Sequence, residues 1–242
     1  KPKLLRDKVN YQLMGSNTWQ HKPSFFELNQ QYVTYHLGKK QNKEKHYQLT
    51  TKKQNSSDFI KLTVDMSDRK TQHHDRSWQV IQKELKEPNG LIFTTEPFEK
   101  TQELSGAITG HFNIAINKKD VDIGFKFYEL KPNGETFKLT RYISRASYAN
   151  DMSKRQLLIP NKKTIVPIIN STMTAKLIEK GSRLVIVLNV NKNSGAQVNM
   201  GTGKDVSEET IADAGEPLEV KWFSDSQINI PLKPWNDRSR SE

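Results

Sequence analysis

The chain has 242 residues, of which 34% are hydrophobic and 9% aromatic, enough for one large β-domain or two small ones with a buried core. It contains no cysteine, which excludes disulfides and thiolate metal sites, and no apolar run of about 18 residues that would predict a membrane span. The formal net charge is +11, with 11 Lys/Arg against 3 Asp/Glu in residues 1–57 and 27 against 24 afterwards. The positive excess is therefore concentrated near the N-terminus.

Four strand-like runs follow one another in the first quarter of the chain. They alternate apolar and polar residues, as half-buried strands do, and turn-forming residues separate them. The predicted strands are residues 8–14, 31–37, 47–50 and 59–64. Residues 51–57 have the composition of a loop.

Residues 65–90 break this pattern. Trp78, Ile81 and Leu85 are spaced at helical intervals, and Pro88 follows as a stop, which predicts a short helix over residues 75–86. The next strong pattern is one strand over residues 104–117 with His111 pointing outward. Two glycines within it, Gly106 and Gly110, predict a bend where another backbone comes close.

A long β-hairpin over residues 121–148 organises the chain. Apolar residues recur at every second position from Val121 to Phe127, Pro132-Asn133-Gly134 predicts the turn, and Phe137, Leu139 and Ile143 resume the alternation. Asp120 and Asp122, at its start, could bind Ca²⁺ or simply flank a turn, and we favour the turn.

The pattern in the C-terminal third of the chain predicts further strands and one helical insertion. Residues 164–169 and 173–178 are strand-like, and Arg183–Val190 is apolar on both faces, which is typical of a central strand covered on both sides. Asp205 and Glu208 have capping-box spacing and predict one or two helical turns that end at Gly215. Two closing strands over residues 218–222 and 228–232 complete a single β-sandwich domain of residues 1–232. Residues 233–242 form a polar tail, which we expect to be frayed beyond Trp235.

No residue pattern in the chain supports catalysis. The Gly-x-Ser-x-Gly turn that carries a hydrolase nucleophile is missing from the sequence. His73 and His74 precede Asp75, but adjacent histidines point in different directions, so a solvated loop is favoured over a metal site. We therefore predict no catalytic, cofactor-binding or metal-binding residue, no cofactor, and no enzyme activity for this chain alone.

The hairpin carries a resemblance to a known family. It is similar to the signature of the C-terminal β-domain of X-Pro dipeptidyl-peptidase and cocaine-esterase-type serine hydrolases, with Asn133 and Tyr142 as departures, and the likeness extends over residues 8–232. The matching positions are Asp122, Lys126, Pro132, Gly134, Leu139, Arg145 and Ala146, with Val9, Met14, Gly15 and Trp19 fitting the entry strand and Lys180, Gly181, Arg183 and Leu184 a later one.

The resemblance implies an all-β, jelly-roll-like β-sandwich of the galactose-binding-like fold, with one or two short inserted helices. It implies a non-catalytic C-terminal domain whose partner is a preceding α/β-hydrolase domain that holds the catalytic Ser, Asp and His. The chain begins at Lys1, and we expect it to be a piece of a longer protein. The sequence does not determine the cellular compartment; a periplasmic or secreted parent protein is one option. Homo-oligomerisation is also left open.

In that family, a loop of the β-domain near residues 66–88 helps wall the acyl pocket. The resemblance thus implies that Arg76, Trp78, His73 and His74 line a substrate pocket or a domain interface. Alternatively, Trp78, Ile81 and Leu85 only cover the open edge of the sandwich.

Two other functions remain as alternatives to the hydrolase domain. Similar sandwiches act as stand-alone carbohydrate- or surface-binding modules through loop aromatics. A nucleic-acid binder could use the lysines of residues 39–53, but a lysine-rich stretch with few aromatics is more typical of a solvated surface. We therefore expect no nucleic-acid partner.

Charge removal tests this last expectation. Replacing Lys39, Lys40, Lys43 and Lys45 together by Gln should leave the melting temperature nearly unchanged, because exposed charges contribute little to stability. Salt-dependent binding of the unmodified chain to DNA or RNA, abolished by the four replacements, would contradict the solvated-surface interpretation.

Overall fold

A computed structural model describes residues 5–28, 30–71, 79–193 and 195–236. These residues form an all-β structure with short 3₁₀ helices as its helical elements, as predicted. The strands are β1 Val9–Leu13, β2 Thr18–Lys22, β3 Val33–Gln41, β4 Tyr47–Thr50, β5 Phe59–Val64, β6 Ile81–Gln82, β7 Leu91–Thr94, β8 Gln102–Gly106, β9 Thr109–Ile116, β10 Asp122–Leu130, β11 Thr136–Arg145, β12 Thr164–Ile168, β13 Thr174–Ile178, β14 Arg183–Val190, β15 Leu218–Phe223, β16 Gln227–Ile230 and β17 Leu232–Pro234.

The strands form two large layers joined through β3. One layer contains β5, β15, β9 and β16, with β12 on the other side of β9; the second runs β4-β7-β14-β10-β11-β6. The first half of β3 pairs with β16 and its second half with β4, so this one strand passes from one layer into the other. A three-stranded sheet β13-β8-β17 and the hairpin β1–β2 complete the described structure.

Aromatic rings from both layers meet in the core. Phe112 of β9 lies edge-to-face against Phe125 of β10, with 6.1 Å between ring centroids, and against Trp222 of β15 at 5.2 Å. Phe125 also stacks on Tyr142 of β11. Since offset and edge-on pairs add to the gain from burial, this cluster holds the two layers face to face. The predicted β-sandwich is confirmed.

Strand β14 is covered on both faces, as its apolar run predicted. Leu184, Ile186 and Leu188 point into the main core. Val185 and Val187 point the other way and form a second cluster with Tyr128, against which Leu85 packs. The outer face of the second layer therefore carries a second, smaller hydrophobic core.

The return strand of the hairpin differs from the prediction. Phe127 pairs with Thr140 and Tyr128 with Lys138, so Leu139 is an extra residue in β11. A bulge of this kind exchanges the two faces of the strand beyond it. Tyr142 consequently points inward, and Ile143, which the alternation placed in the core, is 39% exposed.

The single strand predicted over residues 104–117 is wrong. The chain bends after Gly106 and continues as β8 and β9 in different sheets. The predicted close approach is confirmed at Gly110, whose φ is +120° and where a Cβ would overlap the carbonyl of Gln227. His111 is half-buried rather than pointing freely outward, and burial lowers the pKa of its imidazole.

The predicted helix over residues 75–86 is also wrong within the described part of the segment. Ile81 and Gln82 form the edge strand β6 beside Phe137 and Thr136 of β11, since an unpaired sheet edge can take up the backbone of any extended neighbour. The helical turns near residue 205 are confirmed as 3₁₀ helices, Val206–Glu208 and Ile211–Ala214.

The first residues of the predicted polar tail are part of the sheet structure. Lys233 and Pro234 belong to β17, and the backbone of Trp235 donates to Thr101 O at 3.0 Å. Residues 237–242, which include most of the predicted tail, lie outside the described residues, and the domain boundary at residue 232 stays a prediction. Where the structure describes the chain, no helix has the length and apolar character to cross a membrane.

Two glycines of the family pattern provide a matched test of the hairpin turn. Both have positive φ, but a Cβ at Gly181 would lie 3.1 Å from Pro132 Cγ, whereas a Cβ at Gly134 meets nothing within 4 Å. Gly134→Ala should cost about 1–2 kcal/mol from backbone strain alone. Gly181→Ala should lower the free energy of unfolding by more than this, because its new Cβ also meets Pro132. Adding Pro132→Ala to Gly181→Ala should recover the difference. Equal losses for Gly134→Ala and Gly181→Ala, measured by chemical denaturation, would show that the contact with Pro132 is not tight.

Candidate functional site

The predicted site lies in the stretch of residues 66–88, which we call the crossing segment. His73, His74, Arg76 and Trp78 are outside the described residues, so their side chains are not placed. The structure describes the two flanks, residues 66–71 and 79–88, and these show how the segment is held.

The first flank is attached beyond the end of β14. Met66 is buried, and Asp68 Oδ2 lies 3.4 Å from Nζ of Lys192, whose side chain is only 3% exposed. Arg69 donates to the carbonyl of Asn193 at 3.2 Å. The Asp68 carboxylate accepts hydrogen bonds from Thr71 and from the Lys70 backbone, which, with the nearby Lys192 ammonium, lower its pKa.

The second flank is anchored by a buried ion pair on β10. Lys126 Nζ donates to both carboxylate oxygens of Glu87, at 2.9 and 3.0 Å, and Tyr128 Oη donates to Glu87 Oε1 at 2.6 Å. The side chains of Lys126 and Glu87 are 5% and 7% exposed. Because a lone charge at this depth would be costly, the pair ties the segment firmly to the outer face of the sheet.

Between these anchors the second flank follows the edge and outer face of the second layer. Val80 O accepts from the backbone of Lys138 at 2.8 Å, and β6 pairs with β11 next to it. Leu85 packs on Tyr128, Val185 and Val187. Leu85 therefore covers apolar side chains of the sheet, as the alternative interpretation expected. Ile81 is 60% exposed and covers little of the sheet.

Two aspartates near the start of β10 have arginine partners. Asp122 forms a bidentate pair with Arg145, at 2.8 and 3.0 Å, and these residues lie directly opposite each other on β10 and β11. Asp120, fully buried, lies 3.1 Å from Arg155 and accepts from Ser147. Guanidinium groups thus neutralise both carboxylates, which supports the turn interpretation. Within the described ranges, no three or more His, Asp or Glu residues gather into a possible metal site.

A cleft that the sequence analysis missed lies elsewhere. It has a volume of about 730 Å³ and lies between the β1–β2 hairpin and the end of β17, with Trp19 and Trp235 in its lining. Glu103, in the same lining, is 5% exposed and forms an ion pair with Lys233 at 3.2 Å. Residues over 200 positions apart meet here, and no local pattern indicates such a meeting.

Comparison with solved structures finds this fold within three larger proteins. An aminopeptidase from a marine sediment archaeon, Thaumarchaeota archaeon, matches with a TM-score of 0.77 and 14% identity over 96% of this chain and 41% of its own. An α-amino acid ester hydrolase matches with a TM-score of 0.75 and 14% identity, over 90% and 40%. A CocE/NonD family hydrolase from Staphylococcus aureus matches with a TM-score of 0.59 and 17% identity, over 94% and 40%.

These solved structures share the β-sandwich fold, and this chain spans about two fifths of their length. The family model of the X-Pro dipeptidyl-peptidase C-terminal non-catalytic domain matches residues 5–221. The chain therefore belongs to that family. No curated protein matches it.

Removing the buried ammonium tests the anchor of the crossing segment. Lys126→Met should lower the free energy of unfolding by about 3–5 kcal/mol, because it leaves the Glu87 carboxylate buried without its cation. Adding Glu87→Gln should restore most of this loss, since the amide oxygen still accepts from Tyr128 and no charge remains. Denaturant titration measures both.

The control is Lys61→Met, which breaks the exposed pair of Lys61 with Glu219 at 2.8 Å. Exposed pairs contribute at most about 1 kcal/mol, so this variant should remain close to the unmodified protein. A Lys126→Met variant no less stable than the Lys61→Met control would show that the Glu87 pair does not hold the segment.

Proposed function

We propose that this chain is the non-catalytic C-terminal domain of a serine hydrolase that acts on acyl esters or amides, X-Pro peptides being one candidate class. Its partner would be an α/β-hydrolase domain that precedes it. The observation that carries the proposal is the family match over residues 5–221. The missing Gly-x-Ser-x-Gly turn supports it, because a nucleophile would then have to come from another domain.

The crossing segment would help wall the active site of that hydrolase domain. It lies in one of the two longest connections between the larger strands, from Val64 to Leu91 with the two-residue β6 between them; the other joins Val190 to Leu218. Long connections on a rigid scaffold commonly carry function. Its ends are held by the Asp68–Lys192 and Glu87–Lys126 pairs. Anchored ends would present Arg76, Trp78, His73 and His74 at a constant place, as a pocket wall requires.

A stand-alone carbohydrate-binding module is the second candidate. The 730 Å³ cleft favours it, because Trp19 and Trp235 line it together with the polar residues Gln20 and Gln31. Quenching of tryptophan fluorescence by a soluble oligosaccharide, lost in Trp19→Ala, would favour this candidate over the hydrolase domain.

Substitution of Trp78 in the full-length enzyme tests the pocket wall. If the indole lines the pocket, Trp78→Ala should lower kcat/KM while the free energy of unfolding stays the same. If the indole is part of the packed core, the same change should destabilise by roughly 3–5 kcal/mol and leave the kinetics of the folded fraction unaltered.

Leu85→Ala is the matched control, because Leu85 belongs to the same segment but packs on the second cluster. It should lower stability and leave kcat/KM unchanged. If Trp78→Ala and Leu85→Ala behave alike, with stability lost and kinetics unaltered, the segment is only a cover for the sheet.

A further inference from the structure

Five aromatic side chains lie in or directly next to the lining of two neighbouring clefts. Trp19 and Trp235 line one cleft, Phe25 and Phe26 precede Glu27 of the other, and Tyr32 follows Gln31, which lines both. Phe26 is 91% exposed, Phe25 61%, Tyr32 47% and Trp19 44%. Trp235, which is partly exposed, lines the same cleft as Trp19. We call these five residues the aromatic surface. Single exposed apolar residues are ordinary, but several together on a surface rimmed by polar groups mark an interaction site.

The backbone beneath the aromatic surface is fixed. Phe25 and Phe26 lie in the 3₁₀ helix Phe25–Glu27, and the next residue, Leu28, is buried at 7% exposure. The hairpin that carries Trp19 is tied to β13, since Met14 N donates to Ala175 O at 3.1 Å and Leu177 N to Met14 O at 2.8 Å. Phe25, Phe26 and the hairpin of Trp19 are thus held on a hydrogen-bonded backbone, and the described chain leaves Phe26 almost fully exposed.

The surface is too broad for one small ligand. A second cleft of about 330 Å³ lies beside the 3₁₀ helix, with Glu27 and Leu28 in its lining. It shares Lys22, Gln31 and Lys233 with the 730 Å³ cleft, so the two clefts are neighbours. A sugar bound between Trp19 and Trp235 would leave Phe25 and Phe26 in water. A protein surface could cover all five.

We propose that the aromatic surface is where the hydrolase domain of the same polypeptide docks; this inference rests on the proposed function. The family is a C-terminal domain, so the chain of the parent would enter at β1, directly beside this surface. The aminopeptidase and the ester hydrolase have 41% and 40% of their length matched, so each has a larger part that can act as such a partner.

Charge specifies the partner further. Lys22 and Lys233 lie in the lining of both clefts, and the ammonium of Lys233 is paired with Glu103 at 3.2 Å. The complementary surface of the hydrolase domain would therefore be apolar at its centre, with a carboxylate at its edge opposite Lys22. Such an arrangement matches the apolar core and polar rim of ordinary interfaces.

Hydroxyl-radical footprinting of the full-length protein tests the docking. Phe59 is the internal control, because it is the same residue type and is 40% exposed on β5. Without a partner, Phe26 and Phe25 should be oxidised faster than Phe59, in the order of their exposure. With the hydrolase domain docked, the oxidation of Phe25 and of Phe26 should instead be severalfold slower than that of Phe59. Phe25→Ser combined with Phe26→Ser should then increase the oxidation of Trp19 and Trp235, whereas Phe59→Ser should not.

Fast oxidation of Phe25 and Phe26 in the full-length protein would overturn the proposal. Protection that disappears on dilution would also overturn it, because a second copy would then be the partner. The measurement needs no substrate, so its result is separate from the kinetic test of Trp78. A full-length protein with an upstream hydrolase domain and a freely oxidised Phe26 would refute the docking surface alone, whereas a full-length protein without such a domain would refute the proposed function.

Discussion

Strand β10 is buried on both faces, and this constraint shapes the rest of the molecule. Its inner face contributes Phe125 to the aromatic core, while its outer face presents Lys126 and Tyr128. An ammonium buried on a sheet is tolerated only when a carboxylate reaches it. Glu87 supplies that carboxylate, so the crossing segment must pass over this face. The path of the chain is thus determined by one buried charge as well as by apolar packing.

The family pattern marks positions that hold this sandwich together. Asp122 and Arg145 join the ends of β10 and β11 through a bidentate pair, and Pro132 at the hairpin turn packs against Gly181 before β14. Lys126 anchors the crossing segment. Each of these residues acts on the structure through a partner far away in the chain, so the family pattern joins separate strands and segments of the sandwich.

Two surfaces then remain for interaction with other molecules. The second flank of the crossing segment, residues 79–88, follows the second layer, whereas the aromatic surface involves the first hairpin, the following 3₁₀ helix and the end of β17. In the proposed parent enzyme the aromatic surface would supply adhesion, and the segment would supply contact with substrate. Separating the two roles lets the segment vary without loss of docking, because the apolar contacts that hold the domains together lie elsewhere.

The sequence by itself determined the fold class, the family and the double burial of β14, because alternation and unbroken apolar runs are local patterns that packing preserves. Only the tertiary structure decided where those patterns stop. The bulge at Leu139 turned Ile143 outward, the contact of Gly110 with Gln227 accompanied the division of one run into β8 and β9, and pairing with Phe137 made Ile81 a strand despite its helical spacing. The aromatic surface likewise joins Trp19 to Trp235. Each outcome depends on a partner distant in sequence, and neighbouring residues do not encode where that partner will lie.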